Sequence, residues 1–285
     1  MIRKLAIFGA GLIGGSLALA LRRAGYCKQV VACSRSEAHL KRAVELGVID
    51  AYSLEPAEAV RDADMVLLAV PLGAMEPVCR AIGDALAPDA VLTDVGSAKA
   101  SVVAAVSAAF GEPPASFVPG HPIAGTEKSG VEAAFPELYQ GRRVILTPLA
   151  HTRPEAVQKV RAMWEVAGAV VEEMSVEHHD EVLAATSHLP HLLAFGLVDS
   201  LARMGERDEI FRYAAGGFRD FTRIASSDPV MWRDICLANS QAILKVMAHY
   251  REDLDGITEA VQQGDGDRLL EIFQRAKAAR DRFCH

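Results

Sequence analysis

No C-x-x-C pair occurs among the five cysteines, Cys27, Cys33, Cys79, Cys236 and Cys284, which are odd in number and scattered along 285 residues. That spacing provides neither a disulfide framework nor a zinc ligand set, so no metal is expected, and it fits a reducing, cytoplasmic setting. Basic residues are in deficit as well: 30 Lys and Arg against 37 Asp and Glu give a net charge of −7, with no basic block. Nucleic acid and anionic membrane are thereby disfavoured as partners, and any anion site has to be local. No uninterrupted apolar run of about 18 residues is present, which predicts no spanning helix. The start, MIRKLAIFGAGLIGGSLALALRR, has the charge and apolar character of a signal peptide, but its periodicity reads better as strand, turn and helix. Repeats, low-complexity tracts and long flexible linkers are missing too. Apolar side chains, by contrast, make up 51% of the chain, enough for the cores of about two domains.

Short apolar runs alternate with helical spacing through the first part of the chain. KLAIF (4–8) ends at glycine and is followed by the helix-like LIGGSLALALRRAG (12–25). QVVAC (29–33), DMVLLAV (64–70) and AVLTDV (90–95) each precede a helical stretch, in EAHLKRAVELG, GAMEPVCRAIGDAL and KASVVAAVSAAF. Strands alternating with helices imply parallel pairing, hence a doubly wound α/β sheet. SFVPG (116–120), RRVILTP (142–148) and AVVEE (169–173) read as further strands, with a helix over 154–168. From about Ser175 no strand is apparent and an all-helical domain begins, giving domains of 1–173 and 174–285. In SDPVMWRDICLANSQAILKVMAHYREDL, Asp228 is the expected N-cap and Pro229 the first helical residue of one long helix. Cys236, Ser240, Ile243, Met247, Tyr250, Leu254, Ile257 and Val261 form an apolar seam along it, either a bundle core or a dimer interface.

Between the first strand and its helix lies Gly9-x-Gly11-x-x-Gly14. The first glycine permits a tight turn, the second a close backbone approach to a pyrophosphate, and the third close packing of helix on strand. Leu12 and Ile13 open that helix, where free N–H groups favour an anion. Val70, which closes the third apolar run, and Pro71 after it complete the expected dinucleotide site. An acidic residue near the end of the second strand would select NAD over NADP. Ser34 and Arg35 stand there instead, and a hydroxyl with a guanidinium suits a phosphate monoester. NAD(P) is therefore the expected cofactor, with NADP favoured, unless Arg35 is simply a solvated surface residue.

Three other stretches concentrate reactive side chains. LTDVGSAKAS puts Ser97 and Lys99 beyond a strand, at the sheet edge where ligands bind. HPIAGTEKSG (121–130) has Pro122 and Gly125 against a helix and reads as a loop leaving a strand. EHHDEVLAATSHLPH places Ser187 and His191 four apart on one helix face, with Pro190 disturbing the hydrogen bonding. His178 and His179 are adjacent, point in different directions, and are expected to be structural and not a metal pair.

HPIAGTEKSG, DVGSAK, SHLPH and GGFRDFTRIASSDPVMW together resemble the prephenate/arogenate dehydrogenase family, the cyclohexadienyl dehydrogenases of tyrosine biosynthesis. The resemblance extends over almost the whole chain. It implies a Rossmann domain followed by a helical dimerisation domain, a homodimer, and oxidative decarboxylation of prephenate or arogenate. By the same resemblance His121 is the catalytic histidine at the substrate hydroxyl and Ser97 orients the same region. Arg223 would bind the substrate carboxylate, with His191, Ser187, Gly216, Trp232 and Glu127 around the substrate and Asp220 and Asp180 supporting the arginine; His188 would be a packing residue. A β-hydroxyacid dehydrogenase or imine reductase, or a non-catalytic nicotinamide sensor, shares the fold pattern. The first of these would need a lysine or acid where SHLPH supplies histidines.

Overall fold

The computed structural model of the chain describes residues 1–126, 128–205 and 207–283. They form two compact units, Met1–Ser240 and Gln241–His285. In the first unit six strands, β1 (Ile2–Phe8), β2 (Cys27–Cys33), β3 (Ala51–Ser53), β4 (Met65–Leu68), β5 (Val91–Asp94) and β6 (Phe117–Val118), make a parallel sheet in the order β3-β2-β1-β4-β5-β6. Chain connection reverses between β1 and β4, the crevice where such sheets bind ligands. Along β1, Leu5 and Ile7 enter one apolar cluster, with Leu17, Leu21 and Trp164, while Ala6 and Phe8 enter the other, with Met75, Val102 and Phe117. Both faces are covered, which is why the strands read as continuous apolar runs and not as alternation. The Rossmann expectation is met.

Helices α1 (Leu12–Arg23), α2 (Glu37–Glu45), α3 (Pro56–Val60), α4 (Met75–Ile82), α5 (Lys99–Phe110) and α6 (Pro154–Val166) connect the strands. β3 and α3 have no counterpart in the sequence analysis, because three and five residues are too few to display a period. A second sheet joins β7 (Gly120–Pro122), β8 (Arg143–Leu146) and β9 (Val170–Glu173), antiparallel then parallel. Here the expected loop at His121 is corrected: Gly120–Pro122 is itself a strand. Its place at the sheet edge tolerates Pro122, whose missing N–H would break an inner strand.

A continuous helical segment follows, α7 (Val176–Leu183), a single π turn at Ala184–His188, and α8 (Leu189–Ala202). Val176–Ala202 is long and apolar enough by length and composition to cross a membrane, contrary to the expectation from uninterrupted runs. Its average hydropathy tolerates scattered charges that a run does not. Its inner side carries His179, Asp180 and His188, buried and bonded within the protein. α9 (Arg207–Arg212), α10 (Gly216–Thr222) and α11 (Pro229–Ala238) complete the unit. Asp228 caps α11 by accepting from the Met231 amide, as expected. The predicted long helix breaks at Asn239, however, whose backbone leaves the helical range and whose side chain is buried and bonded elsewhere. α12 (Ser240–Gln263) and α13 (Gly266–Phe283) then form a hairpin turning at Gly264, with φ +67°. Within the hairpin Ile243 and Ala260 are buried, but Leu244, Val261, Leu270 and Phe273 remain more than half exposed.

Candidate active site

The β1–α1 turn is dictated by its neighbours. Gly9 has φ +96°, and a Cβ there would lie 2.2 Å from the Ala69 carbonyl oxygen just past β4. At Gly11, by contrast, a Cβ would meet nothing within 4 Å. Gly11 is also the N-cap of α1, with no side-chain cap and no acidic residue in the first turn. Open space over free amides, beside Leu12, Ile13 and Gly14 and facing the Val70–Pro71 segment after β4, fits a dinucleotide pyrophosphate. Ile13 is fixed from behind, its carbonyl accepting from the Tyr139 hydroxyl at 2.6 Å. At the end of β2, the Ser34 hydroxyl accepts from the Ser36 amide at 3.1 Å and Arg35 is exposed.

At the end of β5, Asp94 and Lys99 form a fully buried ion pair at 2.5 Å. The Asp94 carboxylate also accepts from the Gly96 and Gly120 amides, and Lys99 Nζ donates to the Gly120 carbonyl at 2.6 Å. Burial pulls the Lys99 pKa down while Asp94 opposes the shift. The pair thus grips both ends of the Gly120 residue, next to His121, and sets where β7 presents its imidazole. Ser97 sits half-buried in the intervening loop.

His121 is 8% exposed, and its Nδ1 lies 2.9 Å from His179 Nε2. His179 Nδ1 in turn lies 2.8 Å from the Asp180 carboxylate, which also accepts the Lys99 and Ala100 amides at 2.8 and 2.9 Å. Asp180 therefore supplies the missing cap of α5 from α7. Burial would raise its pKa, yet the bonds from His179 and the two amides outweigh it and hold the carboxyl below its usual value. Burial first, then the His179, Lys99 and His188 charges, pushes the His121 pKa well below 6.5; burial also lowers His179, against the pull of Asp180. Asp180, expected to support Arg223, is turned to these groups, because the N-terminal amides of α5, which have no partner within the helix, demand an anion.

Across the π turn, His191 donates from Nδ1 to the Ser187 carbonyl at 2.8 Å, a bond through the Ser187 backbone. The His191 ring stacks on Trp232 at 3.6 Å, and His188 meets the same indole edge-on. Asn239 donates to the Asp180 carbonyl and contacts His188 Nδ1 at 3.2 Å, fastening α11 to this cluster. Burial lowers the His188 pKa to about 4; burial and the Arg223 charge together lower that of His191. Arg223, following α10, is exposed, as are Gly216 and Asp220 on that helix. Glu127 lies outside the described residues. Among the described residues no group of three potential metal ligands occurs.

His121, His188, His191, Trp232, Ser187 and Asp180 are thus drawn into one neighbourhood. His178 and His179 point in different directions, as expected: His178 is exposed, while His179 faces inward and touches His121, a contact the sequence did not announce. The spacing of Val176, His179 and Leu183 on one helix face was the available signal.

A doubly wound sheet with a glycine turn over free helix amides, beside a buried histidine cluster, defines a nucleotide-dependent enzyme. Sequence models of the prephenate dehydrogenase nucleotide-binding domain and of the prephenate dehydrogenase dimerization domain match residues 17–173 and 175–275. The chain belongs to the prephenate dehydrogenase family. It is 43% identical to the cyclohexadienyl dehydrogenase of Zymomonas mobilis, over 98% of this chain and 96% of the relative. Its fold superposes with a TM-score of 0.91 on prephenate dehydrogenase from Aquifex aeolicus, solved with hydroxyphenyl propionate and NAD+, at 38% identity and 98% coverage of both chains. Synechocystis arogenate dehydrogenase gives 0.82 at 28% identity, covering 98% of this chain and 99% of the other.

Proposed function

We propose that this chain catalyses the oxidative decarboxylation of prephenate, arogenate or both, with hydride transfer to NAD(P)+, giving 4-hydroxyphenylpyruvate or tyrosine. The observation that carries the reading is the buried His121, held neutral beside the nucleotide sheet in a chain of this family. Bound NAD(P)+ would supply the hydride acceptor, seated on Gly9, Gly11, Gly14 and the amides of α1. His121 accepts the proton of the ring hydroxyl as hydride leaves the same carbon. The opposite carboxylate departs as carbon dioxide, its electron pair enters the ring, aromatisation drives the step, and the phenolate oxygen so formed takes the proton back from His121. Ser97 orients the hydroxyl, while the planar guanidinium of Arg223 binds a substrate carboxylate. His191 and Trp232, stacked together, wall the ring, with Ser187, Gly216 and Glu127 around it and Asp220 near Arg223. Buried Trp232 Nε1 and His188 Nε2 have no protein partner, as expected of groups awaiting a polar ligand or water.

Residues 1–173 serve the nucleotide and 174–285 the substrate and a homodimer. The adjoining spans of the two family matches support that division, and the exposed apolar side chains of the α12–α13 hairpin support the dimer. Ser34 and Arg35 favour NADP, and the free cysteines 27, 33, 79 and 236 fit a cytoplasmic enzyme. Prephenate or arogenate mixed with NAD+ or NADP+ should raise the absorbance of reduced nicotinamide. Silence with every pair would refute the activity and favour the sensor reading, whereas equal kcat/KM with both cofactors, or a preference for NAD+, would refute the NADP preference.

A further inference from the structure

We propose that the Asp180–His179 pair sets the tautomer of His121, so that a bare Nε2 meets the substrate hydroxyl. The inference rests on the reading of His121 as the base and adds what prepares it. Donors and acceptors fix the protons along the chain of contacts. An ionised carboxylate only accepts, and Asp180 already receives two amides of α5, so its 2.8 Å contact with His179 has the proton on His179 Nδ1. A neutral imidazole carries one N–H, which leaves His179 Nε2 as a lone pair. That lone pair faces His121 Nδ1 at 2.9 Å, so the proton between the rings belongs to His121. His121 Nε2 is then left unprotonated.

Both rings are kept neutral by their surroundings. His121 faces His179 and His188 from the Val176–Ala202 helix and Lys99 from α5, and burial adds to their effect. His179 faces Lys99, Asp94 and Asp180, and burial outweighs the two carboxylates. When substrate reacts, its O–H bond breaks and an Nε2–H bond forms on His121. The Nδ1–H bond stays intact, and no proton has to cross to His179 or Asp180. The new imidazolium keeps its bond to His179, whose far side rests on the Asp180 carboxylate, as an orienting carboxylate does in other histidine bases. His179 and Asp180 are positioning residues.

Asp180→Asn is an ambiguous probe, since its amide could face either the α5 terminus or His179. His179→Leu removes the acceptor, whereas His179→Gln can accept from His121 and donate to Asp180. Nitrogen-15 spectra of histidine-labelled wild-type protein should show His121 protonated at Nδ1. His179→Leu should lower kcat on the order of 10–10³-fold with KM nearly constant, and His179→Gln should recover about tenfold or more of that loss. A wild-type His121 protonated at Nε2, or equal kcat in the two variants, would overturn the proposal; the wild-type spectrum decides even if a variant fails to fold. His121→Asn, measured alongside, separates the two claims. If it keeps normal kcat the base assignment fails, whereas if it alone is impaired only the tautomer role of His179 fails.

Discussion

The nucleotide crevice and the histidine cluster lie in one compact unit but are made of different material. Around Gly9 and Gly11 the work falls to backbone: a positive φ, an open space and free helix amides. Around His121 it falls to side chains, brought together from β5, β7, α5, α7 and α11, each with defined partners. A backbone site is specified by what is absent at a position and tolerates change nearby. A side-chain site is specified by what is present, and each member depends on another.

The largest effect should come from the side-chain region. His121→Asn should lower kcat by about 10²–10⁴ with little change in KM, seen in steady-state kinetics at saturating substrate. Lys99→Met comes next: it strands Asp94 without its partner and should cost about 3–5 kcal/mol in urea unfolding. Asp94→Asn combined with Lys99→Met should recover part of that loss; strict additivity would show the two act separately. In the backbone region, Gly9→Ala forces a Cβ against Ala69 at positive φ and should cost about 1–3 kcal/mol of stability. It should also weaken NAD(P)+ binding, read by titration, without altering the pH dependence of kcat. A Gly9 variant with unchanged stability and cofactor affinity would erase the contrast between the two regions.

Acidification sharpens the comparison more gently. His121, His179 and His188 have folded pKa values below 6.5, so below that pH the unfolded chain binds more protons than the folded one. Stability should be full above about pH 6.5 and decline as pH falls, by about 1.4 kcal/mol per unit for each proton taken up, down to about 4 for His188. The activity limb assigned to His121 should also lie below pH 6.5, since a base of lowered pKa stays unprotonated further into acid. Thermal melts and kcat/KM profiles between pH 4 and 8 check both; a melting temperature unchanged from pH 7 to pH 5 would contradict the buried neutral cluster.

The same contrast explains what could be read from the letters alone. The glycine turn was legible because strand, glycines and helix are consecutive, so local physics announces the crevice. The parallel sheet was legible for the same reason, through repeated runs of strand and helix. The histidine cluster was not, since His121 and His179 stand 58 residues apart and Lys99 and Asp180 stand 81 apart. No period links such positions, and only likeness to a family marked His121. Asn239 was hidden because an apolar seam continues on both sides of it, while its side chain answers to a distant carbonyl and a histidine. The strand at Gly120–Pro122 was hidden because an edge position excuses its proline.

The π turn at Ala184–His188 gives the chain a sensitivity to length that no substitution would reveal. Such a turn holds one residue more than an ordinary one, and each residue rotates an α-helix by about 100°. Deleting a single alanine there would let the turn close to ordinary α geometry with His179 and His191 keeping their faces, whereas one added residue would swing His191 by about 100° off Trp232. Related genes should therefore tolerate a missing codon within these five positions far better than an added one.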